Sequence, residues 1–292
     1  MTAPITAPVT GGMTPDPAPG GVRDRTVRPV VLLAGAFFVL VCAAALAPGL
    51  FAGDPNAVDP AVALRPPGHG HPFGTDQLGR DVLARVVHGA RSSLLVGLGS
   101  TVLAGLAGSA WGLLSALGGR VVDETAMRVA DVLLSFPNVL MALLVVAVLG
   151  PGTVNVTVAI TISLAPGFAR VVRVRAVVVR DSAYVRAAVN LGVSRGRVVF
   201  RHIAPNVLAP LLVLATVNAG TAIIAGASLS FLGLGPKPPD PEWGSMLAQA
   251  RAYLDAGWTL ALFPGAAITL TVMSVTVLGR ALRDHYEGRD PR

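Results

Sequence analysis

Cysteine, lysine and charge are all scarce in this chain. One cysteine, Cys42, among 292 residues rules out a disulfide framework. Lys237 is the single lysine, and the other 22 of the 23 basic residues are arginine. A phosphate-binding loop needs Gly-x-x-x-x-Gly-Lys-Ser/Thr, with the lysine reaching the phosphates. Lys237 sits in Gly235-Pro236-Lys237-Pro238, which cannot form that loop, so the chain does not bind ATP in this way. Charged residues make up only 13% of the chain, against roughly 25% in soluble domains. Hydrophobic residues reach 53% and the mean hydropathy is +0.65, which excludes disorder over most of the length. The net charge of +7 and a pI near 10.9 raise the question of nucleic acid. The arginines, however, separate long apolar runs instead of mixing with polar and aromatic neighbours, so no nucleic-acid partner is expected. The composition is that of a polytopic membrane protein.

Six apolar runs have helical length. They are Val30 to Ala47, Ser93 to Leu117, about Val132 to Leu149, Val154 to Phe168, Val207 to Leu229 and Trp258 to Leu278. The first carries no charge over a length that suffices to span a bilayer. Ala45-Leu46-Ala47 resembles a signal-cleavage site, but Pro48 would follow the cut and further spans come later, so this helix is expected to stay. Gly150-Pro151-Gly152 fits a tight hairpin between the third and fourth spans, with one long kinked helix as the alternative. The expected organisation is a disordered tail over 1–28, rich in Pro, Gly and Thr, and a first transmembrane helix over 29–50. An extracytoplasmic segment over 51–91, a five-helix transmembrane domain over 92–283 and a short tail over 284–292 complete it.

With both termini inside, 17 of the 23 basic residues fall on internal segments and six on external ones, as the positive-inside rule requires. The expected location is the inner or plasma membrane, multi-pass, with both termini cytoplasmic. No Lys, Arg, Asp or Glu lies in the membrane cores of the spans, and Asp131 lies at an interface at most. Ion-coupled carriers usually keep such groups within the bilayer, where they are costly and therefore functional. A membrane enzyme would need paired acids, a Ser/His pair or metal ligands there, and none is present. The chain reads as a passage driven by another subunit. A secondary carrier or channel stays open as the alternative, because backbone carbonyls can also coordinate sodium.

The loop from Arg170 to Pro205 is the most informative segment. Tyr184, Ala187, Ala188 and Leu191 recur at i, i+3, i+4 and i+7, one apolar face of a short helix. Gly192 is placed to end that helix in a left-handed cap. Ser194 is placed to cap a second one from Arg195 towards His202, and Pro205 opens the next span. An amphipathic helix on anionic lipid would use the same arginines, so membrane lipid is a partner in either case.

Arg186-Ala187-Ala188, Gly192 and His202-Ile203-Ala204-Pro205 resemble the EAA loop of ABC-importer permeases. That family carries Glu-Ala-Ala, three residues, Gly, about nine residues, then Ile-x-Leu-Pro. The two alanines, the glycine and the proline match in type and spacing; Arg186, His202 and Ala204 depart. His71 to Val82, read as His-Pro-Phe-Gly-Thr-Asp-Gln-Leu-Gly-Arg-Asp-Val, resembles the signature after the first span in dipeptide, oligopeptide and nickel permeases. Ala227 to Gly235, followed by Trp243-Gly244, resembles their external segment before the last span. Relatives commonly carry an acid ahead of Ala227, where this chain has Gly226. The matches run from about His71 to Arg283.

The resemblance implies an all-α, six-span, type I ABC-importer permease fold. It implies a coupling loop built from Tyr184, Arg186, Ala187, Ala188, Gly192 and Pro205, docking on a cytoplasmic ATPase. It also implies a second permease, usually a different chain, and an extracytoplasmic substrate-binding protein. ATP is then used by the partner subunit, and this chain is not an enzyme and binds no cofactor itself. Because Arg186 reverses the family's charge, the ATPase is expected to present an acidic or neutral group there.

The external motif residues Gly74, Thr75, Asp76, Gly79, Arg80, Asp81, Trp243 and Gly244 read first as structural. Thr75 or Asp76 is placed to cap a helix through Val82, Leu83, Val86 and Val87, and Arg80 and Asp81 to pair with neighbouring loops. Contact with a binding protein is the functional alternative, stronger for 229–257. His69 and His71 form His-x-His, yet His71 belongs to the general motif and no third ligand is near in sequence, so no metal site is expected.

Overall fold

The computed structural model describes residues 24–286. Its helices are α1 (Asp24–Leu46), α2 (Val82–Leu94), α3 (Ser100–Leu117), α4 (Arg120–Leu134), α5 (Asn138–Leu149) and α6 (Thr153–Arg180). There follow α7 (Ala183–Asn190), α8 (Arg195–Val198), α9 (Ala204–Phe231), α10 (Trp243–Ala250) and α11 (Thr259–Tyr286). Among the described residues, β pairing is limited to two isolated bridges, Gly68 with His71 and Thr75 with Asp81. Residues 1–23 and 287–292 of the expected tails lie outside the described residues. The parts within, 24–28 and 284–286, are helical continuations of α1 and α11.

Among the described residues, five stretches are long and apolar enough to cross a membrane: Pro29–Leu46, Val82–Leu117, Thr153–Arg180, Leu211–Phe231 and Thr259–Asp284. The remaining expected span, Val132 to Leu149, is broken. α4 and α5 meet at 93°, and the pair counts as a sixth span only when taken together. The physical cause is Pro137, which lacks an N–H and disfavours helical geometry at Phe136, so one helix stops at Leu134 and another starts at Asn138. α5 by itself reaches only about 18 Å at 1.5 Å per residue, short of a hydrocarbon core of roughly 30 Å.

Two other boundaries move. The second span starts at Val82, well before Ser93, because α2 runs into α3 through one π turn at Leu95–Gly99. Its cap is Asp81, whose carboxylate accepts the Ala84 N–H at 3.2 Å, where Thr75 or Asp76 was expected. α6 continues past Phe168 to Arg180, so the first part of the expected loop is helix. Helix propagation gains a hydrogen bond per residue and does not stop where the apolar run does. The turn at 150–152 does separate α5 from α6, as a hairpin requires.

The inner packing layer is built on small residues. Gly108 and Gly112 lie one turn apart on α3 and face Phe168, Ala169 and Val172 of α6. A Cβ on Gly108 would lie 2.6 Å from the Ala165 carbonyl, and one on Gly112 2.7 Å from Val172 Cβ. This close approach of backbones is how helices gain contact in lipid, where burial of apolar surface drives little. Phe168, Ile160, Val156 and Val172 form the buried core between α3, α5, α6 and α9. A second core joins α1, α2, α10 and α11 around Val41, Trp243, Met246 and Leu260. Leu32, Leu106 and Val148 point outward, 73%, 64% and 80% exposed, as lipid-facing residues do.

Candidate functional site

At one end of the bundle, Asp181 and Ser182 turn the chain from α6 straight into α7. At about 100° per residue, Tyr184, Ala187, Ala188 and Leu191 share one face, and Val185, Arg186, Val189 and Asn190 share the opposite one. Val185 is buried, 2% exposed, and seats α7 against the span ends together with the buried Val198 and Ile203. The face singled out from the sequence stays open: Tyr184 is half-exposed and Leu191 is 84% exposed.

Gly192 ends α7 at φ +80°, in a full Schellman closure. The Val193 N–H bonds to the Ala188 carbonyl and the Gly192 N–H to the Val189 carbonyl, at 3.1 and 3.0 Å. Ser194 takes the cap position of α8, but its side chain makes no capping hydrogen bond, contrary to expectation. Pro205 sits in the first turn of α9, which continues from α8 through a π turn at Val199–Ile203. The Tyr184 hydroxyl donates to the His202 carbonyl at 3.5 Å and accepts from Asn206 Nδ2 at 3.2 Å, tying α7 to the start of α9.

Several contacts at this end had no signal in the sequence. Arg173 donates from Nε and Nη2 to Asp123 at 3.0 and 2.5 Å, and Ser115 donates to the same carboxylate. Arg170 pairs with Asp131, and Arg180 Nη1 donates to the Ala116 carbonyl at 2.7 Å. These bonds hold α3 and α4 to the half of α6 that leads into α7. Phe200, 80% exposed in the same loop, likewise carries no sequence signal, since a lone aromatic between arginines has no periodicity.

At the opposite end, the motif residues are mostly inside. Gly74, Thr75, Asp76, Gly79 and Arg80 are buried, and Asp81 is half-buried. Asp76 accepts from Arg80 Nε at 2.6 Å and from the Leu78 and Arg80 N–H groups, and lies 3.6 Å from Arg85 Nε. Arg80 therefore pairs within its own turn and not with a neighbouring loop. Asp81 caps α2 and lies 3.5 Å from His71 Nδ1. Thr75 accepts the Arg65 N–H at 2.9 Å and donates to the Val62 carbonyl. Gly79 has φ +75°, and a Cβ there would overlap the Asp59 carbonyl.

Trp243 is 2% exposed, and its indole N–H donates to the Val86 carbonyl at 2.8 Å. Trp243 and the buried Gly244 are thus unavailable for direct docking of a partner. Glu242, which the sequence did not single out, is equally buried. It caps α10 by accepting the Gly244 and Ser245 N–H groups at 2.9 and 2.8 Å. Burial pushes its carboxyl above the usual carboxylate range, and these donors with Ser93 pull partly back. A Cβ at Gly226, where relatives of this pattern carry an acid, would lie 2.6 Å from Val96 Cγ1, so packing leaves no room for one.

The chain is similar to known proteins. Residues 108–289 match the family described as binding-protein-dependent transport system inner membrane component. A putative peptide transport system permease protein of Brucella abortus is 43% identical over 92% of this chain and 89% of its own. The probable D,D-dipeptide transport system permease protein of Escherichia coli K12 is 42% identical over 81% of this chain and 80% of its own. A glutathione transport system permease protein of Pectobacterium atrosepticum is 38% identical over 90% and 92%. An inward-facing structure of the MetNI methionine ABC transporter superposes with a TM-score of 0.56 at 18% identity. It covers 71% of this chain and 97% of that one, and shares the type I importer permease fold. The chain belongs to the binding-protein-dependent transport system inner membrane components: it is a multi-pass permease subunit of an ABC importer, whose ATPase is a separate subunit.

Proposed function

We propose that this permease lines half of a path for peptides, paired with a second and different permease chain, with both its termini in the cytoplasm. The peptide reading is supported by its relatives, which include permeases named for peptide, D,D-dipeptide and glutathione transport. The orientation is supported by the excess of arginine on the α7 end. ATP acts on the partner, and this chain holds no cofactor of its own.

The observation that carries the coupling role is the open face of α7. A helix seated by Val185 and presenting Tyr184, Ala187, Ala188 and Leu191 outward offers small residues and one apolar anchor to a cleft. Gly192 and Pro205 fix the exit and re-entry of the chain on either side, while Arg186 lies on the other face of α7, outside that patch. Closure of the ATPase pair pulls α7, and α6 transmits the pull because it is continuous through Arg180. The ion pairs of Arg170 and Arg173 carry that motion to α4, hinged at 93° to α5. At the other end, Glu242, Trp243 and the Asp76 turn form the base beneath exposed residues such as Lys237, Tyr253 and Trp258, which face the binding protein.

The test is a mild-detergent pull-down of the chain from its own membranes, with mass spectrometry, followed by reconstituted uptake of a labelled dipeptide. Recovery of an ATPase, a different permease and a peptide-binding protein, with uptake that requires ATP, is the expected result. Recovery of two copies of this chain, or uptake of another solute class only, would overturn the corresponding part.

A further inference from the structure

A cavity of about 500 Å³ lies behind α7, on the side away from Tyr184 and Leu191. Its walls are the ends of α3 and α6, the inner face of α7 and the turn from α8 into α9. Aliphatic side chains floor it, among them Val185, Val189, Val198 and Ile203. Three arginines stand at it: Arg180, Arg186 and Arg195. No acid is among the lining residues. Arg180 is partly engaged, by the Ala116 carbonyl and by Asp181 at 3.3 Å. Arg186 and Arg195 pair with no carboxylate among the described residues.

We infer that this cavity binds an anionic phospholipid of the cytoplasmic leaflet, its phosphate on the three arginines and its upper acyl segment on the valine floor. Charge complementarity identifies the occupant as an anion, and the floor requires that the anion carry an apolar part. The place fits as well. Leu117 and Arg180 are the last residues of their helices, at the arginine-rich end of the bundle. A free phosphate would leave the aliphatic surface wet. An acidic segment of the ATPase is the competing occupant, but the small-residue face that suits a protein cleft is on the other side of α7. Lipid seated here fills the space behind α7 and sets the stance from which it meets its partner. The inference rests on the cytoplasmic placement proposed above for this end.

Native mass spectrometry of the purified permease complex, delipidated and then offered phosphatidylglycerol or phosphatidylcholine, reads binding directly. Wild type should retain phosphatidylglycerol in preference, and the double variant Arg186→Gln/Arg195→Gln should lose roughly tenfold of that preference. Arg197→Gln removes an exposed arginine of the same loop that does not line the cavity, and should change nothing. Equal preference in wild type and the double variant overturns the site. So does loss of the lipid preference when the ATPase docks, with a cross-link from position 186 to an ATPase acid. Folding of the variants is checked by the thermal transition of the complex. Orientation is read separately, in Cys42→Ser carrying Ser194→Cys, by labelling intact cells with an impermeant maleimide. Labelling from outside would refute the orientation and leave the binding result standing.

Discussion

Ser93 and Glu242, 149 residues apart in sequence, meet in the buried joint between α2 and α10. The Ser93 hydroxyl donates to Glu242 Oε1 at 3.2 Å, and its oxygen accepts the Trp243 N–H at the same distance. With the Gly244 and Ser245 N–H groups on the same carboxylate, four donors, three of them buried, are satisfied by two side chains. Glu242→Ala should therefore cost about 3 kcal/mol, combining a lost helix cap with buried donors left unpaired. Glu242→Gln, which keeps one acceptor oxygen, should cost less. Thermal unfolding of the purified chain in detergent ranks the two, and an Ala variant as stable as wild type would show the joint to be dispensable.

The same carboxylate makes stability depend on pH. Burial raises its folded value above the ordinary 4.5, so the folded state holds a proton that the unfolded chain has already released. Its contribution is fully present below 4.5 and is lost as pH rises through the raised folded value. Between pH 4.5 and neutrality, wild type should lose stability relative to Glu242→Gln. Transition temperatures of both proteins, measured across that range, check the slope; a difference that grows in the opposite direction would mean the donors outweigh burial.

What was legible in the sequence follows from range. The spans show because an apolar run is a local property, and Gly192 shows because a helix stop is too. The break at Pro137 was visible as a residue but not as a 93° bend, since prolines in membrane helices often only kink them. α4 reads as a loop in sequence because Arg120, Asp123, Glu124 and Arg128 dilute its apolar residues, and the arginines that pair with its Asp131 and Asp123 lie 39 and 50 residues downstream. Thr75 and Asp76 read as caps because they precede a helix. Only three dimensions show that Asp76 is taken by Arg80 and Arg85, leaving Asp81 to cap α2. The family motifs marked the buried turn, but not that its residues face inward.

Gly108 and Gly167 separate the two roles of glycine in a span. Gly108→Ala drives a methyl group into the Ala165 carbonyl and the Ala169 N–H, 2.6 and 3.0 Å away, and forces α3 from α6. A loss of about 1–3 kcal/mol is expected. Gly167→Ala meets nothing within 4 Å and should be neutral or gain up to about 1 kcal/mol from helix propensity. Thermal stability of the two variants in the same detergent decides it. Equal losses would mean that the α3–α6 approach is not limited by the methyl group.

Gly192 tests the coupling reading most directly. At φ +80° it closes α7 with nothing within 4 Å of a would-be side chain, so conformation and not space constrains the position. Gly192→Asn tolerates the left-handed geometry, whereas Gly192→Val pays about 1–2 kcal/mol and escapes by re-aiming α8. Because α7 is anchored mainly through Val185, that strain should appear in how α7 is presented and not in the transmembrane core. The expected outcome is near-normal thermal stability for both variants. ATP-driven uptake should be kept by Gly192→Asn and lowered at least tenfold by Gly192→Val. Equal uptake by the two variants in reconstituted vesicles would separate the left-handed cap from coupling, whereas loss of both would trace the requirement to the absent side chain at the docking face.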